Sequence, residues 1–368
     1  MDSFNIENKF VFGGIIAIIL IMLGVWQRFY FSGGIFDRPT TPTPTIIISP
    51  LKTIRSSSLP LKEMWRWSGN VVSGNVPNLA MNGNYLVLAA IDNEPPWNIN
   101  IITFDISGKQ LWEKTYPETK LPNDFNSLAT DGIRVYIGSG RYLQAFDINN
   151  GNLLWTGAKE RDGIPGTFNV YVDNGNVYGY SYYDYMVYRL EPQTGETEEV
   201  SHKPGIIIEM AGKDYGEYGF NRITSKDTST NQLLWKQDLG AKVQVWPLFS
   251  DDMMFVSVGT DRGTDDREIV ALSIDNGQIL WRSGGYVSNI ALSQNLLLAI
   301  KGNASLVALN PKTGEQVGEV TVQPAQTYQY KGTQHWGDYV VAASDRYIAA
   351  YYDDSQELIV FERTDRTH

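Results

Sequence analysis

Apolar and polar positions alternate along most of this chain in short runs, each closed by Gly, Asn, Asp or Ser. A period of two predicts strands that bury one face, and from residue 62 onward no stretch shows the 3.6-residue spacing of an amphipathic helix. One unit recurs: an apolar strand, a polar turn and a second strand. It reads NLAMNGNYLVLAA (78–90), SLATDGIRVYIGS (127–139), VYVDNGNVYGYS (170–181), IEMAGKDYGEYGF (208–220), PLFSDDMMFVSV (247–258), IALSQNLLLAI (290–300) and VVAASDRYIAAYY (340–352).

A second unit sits between these copies: FDISGKQLW (104–112), AFDINNGNLLW (145–155), KDTSTNQLLW (226–235) and ALSIDNGQILW (271–281). Gly108, Gly151 and Gly277 each precede a Trp by four positions, and Asn231 takes the Gly place before Trp235. RLEPQTGETEE (189–199) and ALNPKTGEQVG (308–318) keep Gly195 and Gly314 but carry no Trp. Gly or Asn tolerates positive φ in a tight turn between strands. The short polar residue opening the turn, such as Asp105, Asp147 or Asp227, accepts backbone N–H bonds. The Trp gives the outer strand a large flat surface to pack against the next unit.

Together the two units make four antiparallel strands every ~43 residues, one blade of a propeller. The last copy has strands at Val340–Ser344, Tyr347–Tyr352 and Glu357–Glu362 but no fourth, while LKEMWRW (61–67) is a fourth strand with none before it. The N-terminal strand is therefore expected to close the last blade, leaving no open edge. The expected fold is all-β, a seven-bladed β-propeller over residues 62–363 with a tail at 364–368. Eight blades is the alternative if the long stretch 320–339 hides a strand pair.

The turn-and-Trp units resemble the pyrroloquinoline-quinone (PQQ) repeat family, whose blade ending reads A-x-D-x-x-T-G-x-x-x-W. The residues that carry the likeness are Ala145, Asp147, Gly151 and Trp155; Ala271, Gly277 and Trp281; and Ala308, Thr313 and Gly314. The resemblance implies one of two roles. Large quinone-dependent dehydrogenases use the cofactor with calcium, and non-catalytic propellers, such as an outer-membrane assembly lipoprotein, act as interaction scaffolds. The dehydrogenases are larger and often place a Cys pair beside the cofactor, whereas this chain has 368 residues and no Cys. No position here takes over a calcium ligand or a catalytic Asp. The expectation is a scaffold that is not an enzyme and needs no cofactor.

Ahead of the repeats, Phe10 to Gln27 carries no charge. Eighteen helical residues span ~27 Å, close to the ~30 Å hydrocarbon layer. Trp26, Phe29, Tyr30 and Phe31 form an aromatic belt, and no A-x-A cleavage motif follows. Residues 10–31 are thus expected to be a single transmembrane helix after a short tail (1–9). Residues 32–61 hold a Thr-Pro alternation that favours an extended spacer. Flanking charges are nearly balanced, so the expected extracytoplasmic placement of the propeller comes from the resemblance.

Composition narrows the partners. The net charge is −11, and residues 1–38 hold three basic and three acidic residues, so the excess lies in the repeats. An acidic domain is poorly suited to a phosphate backbone, which argues against nucleic acid. Three scattered His (His202, His335, His368) and no Cys exclude a Cys-ligated zinc site, a thiol nucleophile and a disulfide scaffold.

Blade topology places the Gly turns on one face and the longer loops on the other, where function usually sits. That second face is expected to present Trp97, Tyr182, Tyr183, Tyr185, Tyr328, Tyr330, His335 and Trp336 to a protein partner, or alternatively to a ligand or glycan. Asp261, Asp265, Asp266 and Glu268 are a weak calcium candidate: they match no EF-hand spacing, and Arg262 and Arg267 intrude. Asn303-Ala304-Ser305 fits a glycosylation acceptor.

Overall fold

In the computed structural model the described residues are 59–69, 77–91, 98–117, 127–138, 143–157, 168–173, 175–181, 187–201, 206–210, 213–216, 221–227, 229–243, 247–250, 252–259, 267–321, 327–330, 333–336, 339–353 and 355–365. The expected helix at 10–31 and the linker up to residue 58 lie outside them. Among the described residues no helix is long and apolar enough to cross a membrane.

All regular structure described is β. After β1 (Leu61–Ser68) come six four-stranded antiparallel sheets, each built from consecutive strands in chain order. The first holds β2 (Asn78–Asn82), β3 (Tyr85–Ile91), β4 (Asn98–Asp105) and β5 (Gln110–Pro117). The second holds β6 (Ser127–Thr130), β7 (Arg134–Gly138), β8 (Leu143–Asp147) and β9 (Leu153–Gly157). The third holds β10 (Phe168–Asp173), β11 (Asn176–Ser181), β12 (Val187–Leu190) and β13 (Thr197–Ser201). The fourth holds β14 (Ile206–Met210), β15 (Lys213–Gly216), β16 (Arg222–Asp227) and β17 (Leu233–Asp238). The fifth holds β18 (Leu248–Ser250), β19 (Met253–Val258), β20 (Arg267–Ser273) and β21 (Ile279–Tyr286). The sixth holds β22 (Ala291–Ser293), β23 (Leu296–Ile300), β24 (Ser305–Leu309) and β25 (Gln316–Thr321).

A two-stranded hairpin follows, β26 (Thr327–Tyr330) with β27 (Thr333–Trp336). Then come β28 (Tyr339–Ala343), β29 (Tyr347–Tyr352) and β30 (Glu357–Arg363), and the order β1-β30-β29-β28 makes a seventh four-stranded sheet. The N-terminal strand thus completes the last sheet, antiparallel to β30 with Leu61 opposite Arg363 and Ser68 opposite Glu357.

Neighbouring sheets stack face to face, which explains the strand compositions. Middle strands such as β23 and β29 are buried at every position and read as continuous apolar runs, because another sheet covers each face. One apolar cluster joins the first and second sheets (Val87, Ile101, Val135, Phe146), and another joins the first and seventh (Leu86, Phe104, Ala349, Val360). The seventh packs in turn on the sixth (Leu298, Leu306, Ile348, Phe361), so the ends of the series meet in a ring.

The stretch 320–339 does hold a strand pair, but β26 and β27 pair only with each other among the described residues. The sixth and seventh sheets, which flank that hairpin in the chain, contact each other directly.

Candidate functional site

The turns that join the third strand of a sheet to its outer strand share one construction. In the second sheet the N–H of Gly151 donates to the carbonyl of Asp147 at 2.8 Å, and the N–H of Asp147 donates to the carbonyl of Asn152 at 2.9 Å. The Asp147 carboxylate accepts the N–H groups of Asn149 (2.8 Å) and Asn150 (3.2 Å). Gly151 has φ +68°, and Gly195, Gly277 and Gly314 lie between +69° and +73°. Asn231 holds the equivalent place at φ 57°, as its residue type suggests.

These acidic openings are tuned by the turn itself. Four bonds from Ser229 and Thr230 reach one carboxylate oxygen of Asp227 and hold its pKa down to about 2. Partial burial pushes the Asp105 carboxyl up, but bonds from Ser107 and Lys109 outweigh it and the net shift is downward.

Each such turn, except that of the fourth sheet, receives an indole from the sheet before it. The Nε1–H of Trp65 donates to Ile106 O (2.8 Å), Trp112 to Ile148 O (2.7 Å) and Trp155 to Pro192 O (2.9 Å). Trp235 donates to Ile274 O (3.0 Å) and Trp281 to Pro311 O (2.8 Å). The rings lie so close that a Cβ on Gly108, Gly151, Gly195, Gly277 or Gly314 would come within 2.4–2.9 Å of an indole carbon. The Trp docks across the seam on the next turn, as its offset from the Gly suggests.

Strand direction gives the ring two faces. Up-and-down strands place these turns, and those joining first to second strands, at one end; the remaining connections lie at the other. The closing strand β1 starts at the turn end, where Leu61 sits opposite Arg363. Just before it, Pro60 O accepts the N–H of Thr364 at 2.8 Å, and Leu59 is buried in the apolar cluster shared by the sixth and seventh sheets. The chain therefore joins the ring on the turn face, at the seam of the sixth and seventh sheets.

Among the described residues that seam has no indole and is held by polar staples. The guanidinium of buried Arg363 donates to Ser293 O (2.7 Å), Asn295 Oδ1 (3.0 Å) and both carboxylate oxygens of Asp365 (3.0 and 2.8 Å). The Asn289 amide donates to Val341 O (2.9 Å) and accepts from Val341 N–H (2.8 Å). Neither staple was legible in the sequence. An Arg at the end of a strand and an Asn in a loop read as ordinary surface residues until the ring brings Ser293 and Val341 to them.

On the turn face a cavity of about 480 Å³ separates the first turns of the first and seventh sheets, lined by Asn82, Asn84, Ser344, Asp345, Arg346 and Tyr347. At two other seams the equivalent turns are tied: Asn82 Nδ2 donates to Thr130 O (3.2 Å) and Ser293 Oγ donates to Ser344 O (2.7 Å). The Arg346 guanidinium turns to Glu362 (2.6 and 3.0 Å) and lies over the Tyr347 ring at 4.9 Å.

The residues proposed for the loop face are placed unevenly. Trp97, Tyr182, Tyr183 and Tyr185 lie outside the described residues. Tyr328, Tyr330, His335 and Trp336 fall on the β26–β27 hairpin, where the register sets His335 opposite Tyr328 and Trp336 opposite Thr327. Of the calcium candidates, Asp261, Asp265 and Asp266 lie outside the described residues. Glu268 accepts a 2.8 Å ion pair from Arg282, whose other nitrogen donates to Leu239 O at 2.9 Å. Among the described residues no group of three acidic or His side chains is placed to hold a metal ion.

A search of curated proteins returns no match. Among solved structures, the crystal structure of BamB from Moraxella catarrhalis matches with a TM-score of 0.51 and 12% identity, over 82% of this chain and 99% of that one. The computationally designed Ika8 protein matches with a TM-score of 0.49 and 16% identity, again over 82% and 99%. The first likeness shows the fold, a β-propeller. The family model described as outer membrane protein assembly factor BamB matches residues 64–198 and 211–365, so the chain belongs to this branch of the PQQ-like repeat family.

Proposed function

We propose that this protein is a single-pass, membrane-anchored, seven-bladed propeller that serves as a non-catalytic protein-interaction scaffold. In this reading residues 1–9 are a tail, 10–31 cross the membrane, 32–61 form a spacer, 62–363 form the ring and 364–368 trail from it. The ring sits on the extracytoplasmic side. Seven four-stranded sheets and the direct contact between the sixth and seventh support a count of seven. Membership of a family described as an assembly factor supports the scaffold role over quinone chemistry.

One observation carries the reading. β1 enters from the turn face, with Leu61 opposite Arg363, so a tether on its N-terminal side leaves the opposite, loop-rich face free for a partner. A spacer of ~30 residues reaches ~30 Å as a coil and ~90 Å as a polyproline rod, room enough for that face to engage a large assembly.

The test is partner capture with the full-length tagged protein from detergent-solubilised membranes. Substituting Trp97 and Trp336 together should abolish recovery of the captured protein. Unchanged recovery would remove the loop face from the proposal. Added protease should digest the ring on intact cells if it lies outside, and protection would reverse the orientation. Reconstitution with PQQ and calcium should give no dye reduction; turnover would overturn the non-catalytic reading.

A further inference from the structure

Six turns join a third strand to an outer strand, and five of them lie under an indole. The sixth, that of the fourth sheet, receives none among the described residues, and both halves of the latch differ there. In the second sheet Trp155 stands opposite Ala145; in the fourth, Trp235 stands opposite Ser225; in the fifth, Trp281 stands opposite Ala271. The same register position of the third sheet, opposite Tyr188, holds Glu199. The turn that would receive its indole has Asn231 at φ 57° where the other five turns have Gly. Those five are held to Gly twice over, by positive φ and by an indole carbon within 2.9 Å of any added Cβ. A turn with no indole to receive keeps only the first demand, and Asn meets it.

The outer strand of the sixth sheet likewise offers no indole to the seam with the seventh, since Gly318 stands opposite Ala308. No third-to-outer turn faces it, because β30 and β1 come from opposite ends of the repeat region. Arg363 and Asn289 staple that seam instead. The third–fourth seam is therefore the place where a turn is present and its indole is missing.

We propose that the ring opens at the seam between the third and fourth sheets, which makes this one joint compliant while the latched seams stay closed. Each latch couples the outer strand of one sheet to the turn of the next, so without it the two sheets separate without first extracting a buried indole. Local opening of this kind is drawn from the least stable contacts of a fold.

The turns supply matched reporters. The N–H of Gly151, Gly195, Asn231 and Gly314 each donates to the first carbonyl of its turn at 2.8 Å, and that of Gly277 at 2.9 Å. Hydrogen exchange on the full-length protein in micelles should show protection at Asn231 at least about tenfold below that at the four glycines. Buried β16, which carries Ile223 and Ser225, should lose protection with it. Equal protection at all five turns would overturn the proposal, and so would a loss confined to Asn231 with β16 as protected as β8, since that is a frayed turn. Installing the latch with Glu199→Trp and Asn231→Gly should bring Asn231 and β16 level with the other seams. The reverse transplant, Trp235→Glu with Gly277→Asn, should make β20 exchange as β16 does; β20 protection unchanged in that variant would likewise refute the proposal.

Discussion

The indole nitrogen of Trp112 donates a 2.7 Å hydrogen bond to the carbonyl of Ile148, 36 residues further along the chain and in the next sheet. The bond fixes the ring over Gly151, where a Cβ would sit 2.8 Å from two indole carbons. One Trp thus satisfies a turn carbonyl, covers a glycine and joins two sheets. The Gly turn and the Trp are two parts of one inter-sheet contact.

It follows that Gly151→Ala should cost about 2–4 kcal/mol, combining a left-handed residue with a displaced indole. Gly83 offers the control. It has φ +56° but open space where a Cβ would point, so Gly83→Ala should cost only the conformational part, about 1–2 kcal/mol. Urea midpoints of the two variants separate the contributions. Equal losses would mean that indole crowding adds nothing.

Most of the ring could be read from the chain because its cause is local and repeated. Turn chemistry at Asp147 and Gly151 lies within five residues, and the offset to Trp155 is constant. The destination of each indole was legible only in outline, since the accepting carbonyl is 30–41 residues away and belongs to Ile or Pro alike. Glu199 looked like a weak copy of the repeat; only the register, with Asn231 beyond it, shows a missing latch. The candidate face was the least legible part. Loops such as those of Trp97 and Tyr182 follow no period, and residue type alone does not say what they meet.

The hydroxyl of Ser225 is fully buried and has no hydrogen-bond partner among the described residues, and it stands opposite Trp235. The matching places opposite Trp155 and Trp281 are Ala145 and Ala271. A buried hydroxyl without a partner carries a desolvation cost, so Ser225→Ala should stabilise the protein by about 1 kcal/mol. Ser288→Ala should do the opposite, by about 1–2 kcal/mol, because Ser288 donates to Asn289 O at 2.6 Å and accepts Ile300 N–H at 2.8 Å. Thermal melts decide between them: a loss of stability in Ser225→Ala would show that the hydroxyl is well placed.

Arg363 should tolerate no replacement. Its side chain is 3% exposed and its fork meets Ser293, Asn295 and Asp365 at once. A Lys head group is a point charge and cannot reproduce that planar arrangement. Arg363→Lys should therefore cost most of what Arg363→Met costs, about 3 kcal/mol, as expected when a buried, paired cation is removed. Denaturant titration of both variants checks this, and a Lys variant as stable as the parent would reduce the staple to simple charge.

Acid should loosen the fourth-sheet turn within a defined window. Asp227 is half-buried, and its carboxylate is held at a pKa of about 2 by bonds from Ser229 and Thr230. A carboxyl whose folded pKa lies below the unfolded value of about 4 stabilises the fold above that value. The contribution fades as pH falls and is gone once the folded group protonates. Asp227→Asn keeps an acceptor oxygen but removes the charge. Melting temperatures of the two proteins should differ at pH 6, with the Asp form higher. The gap should begin to close near pH 4 and vanish near pH 2. A gap that stays constant from pH 6 to pH 2 would mean that the ionised form of Asp227 gives the turn nothing the neutral amide does not.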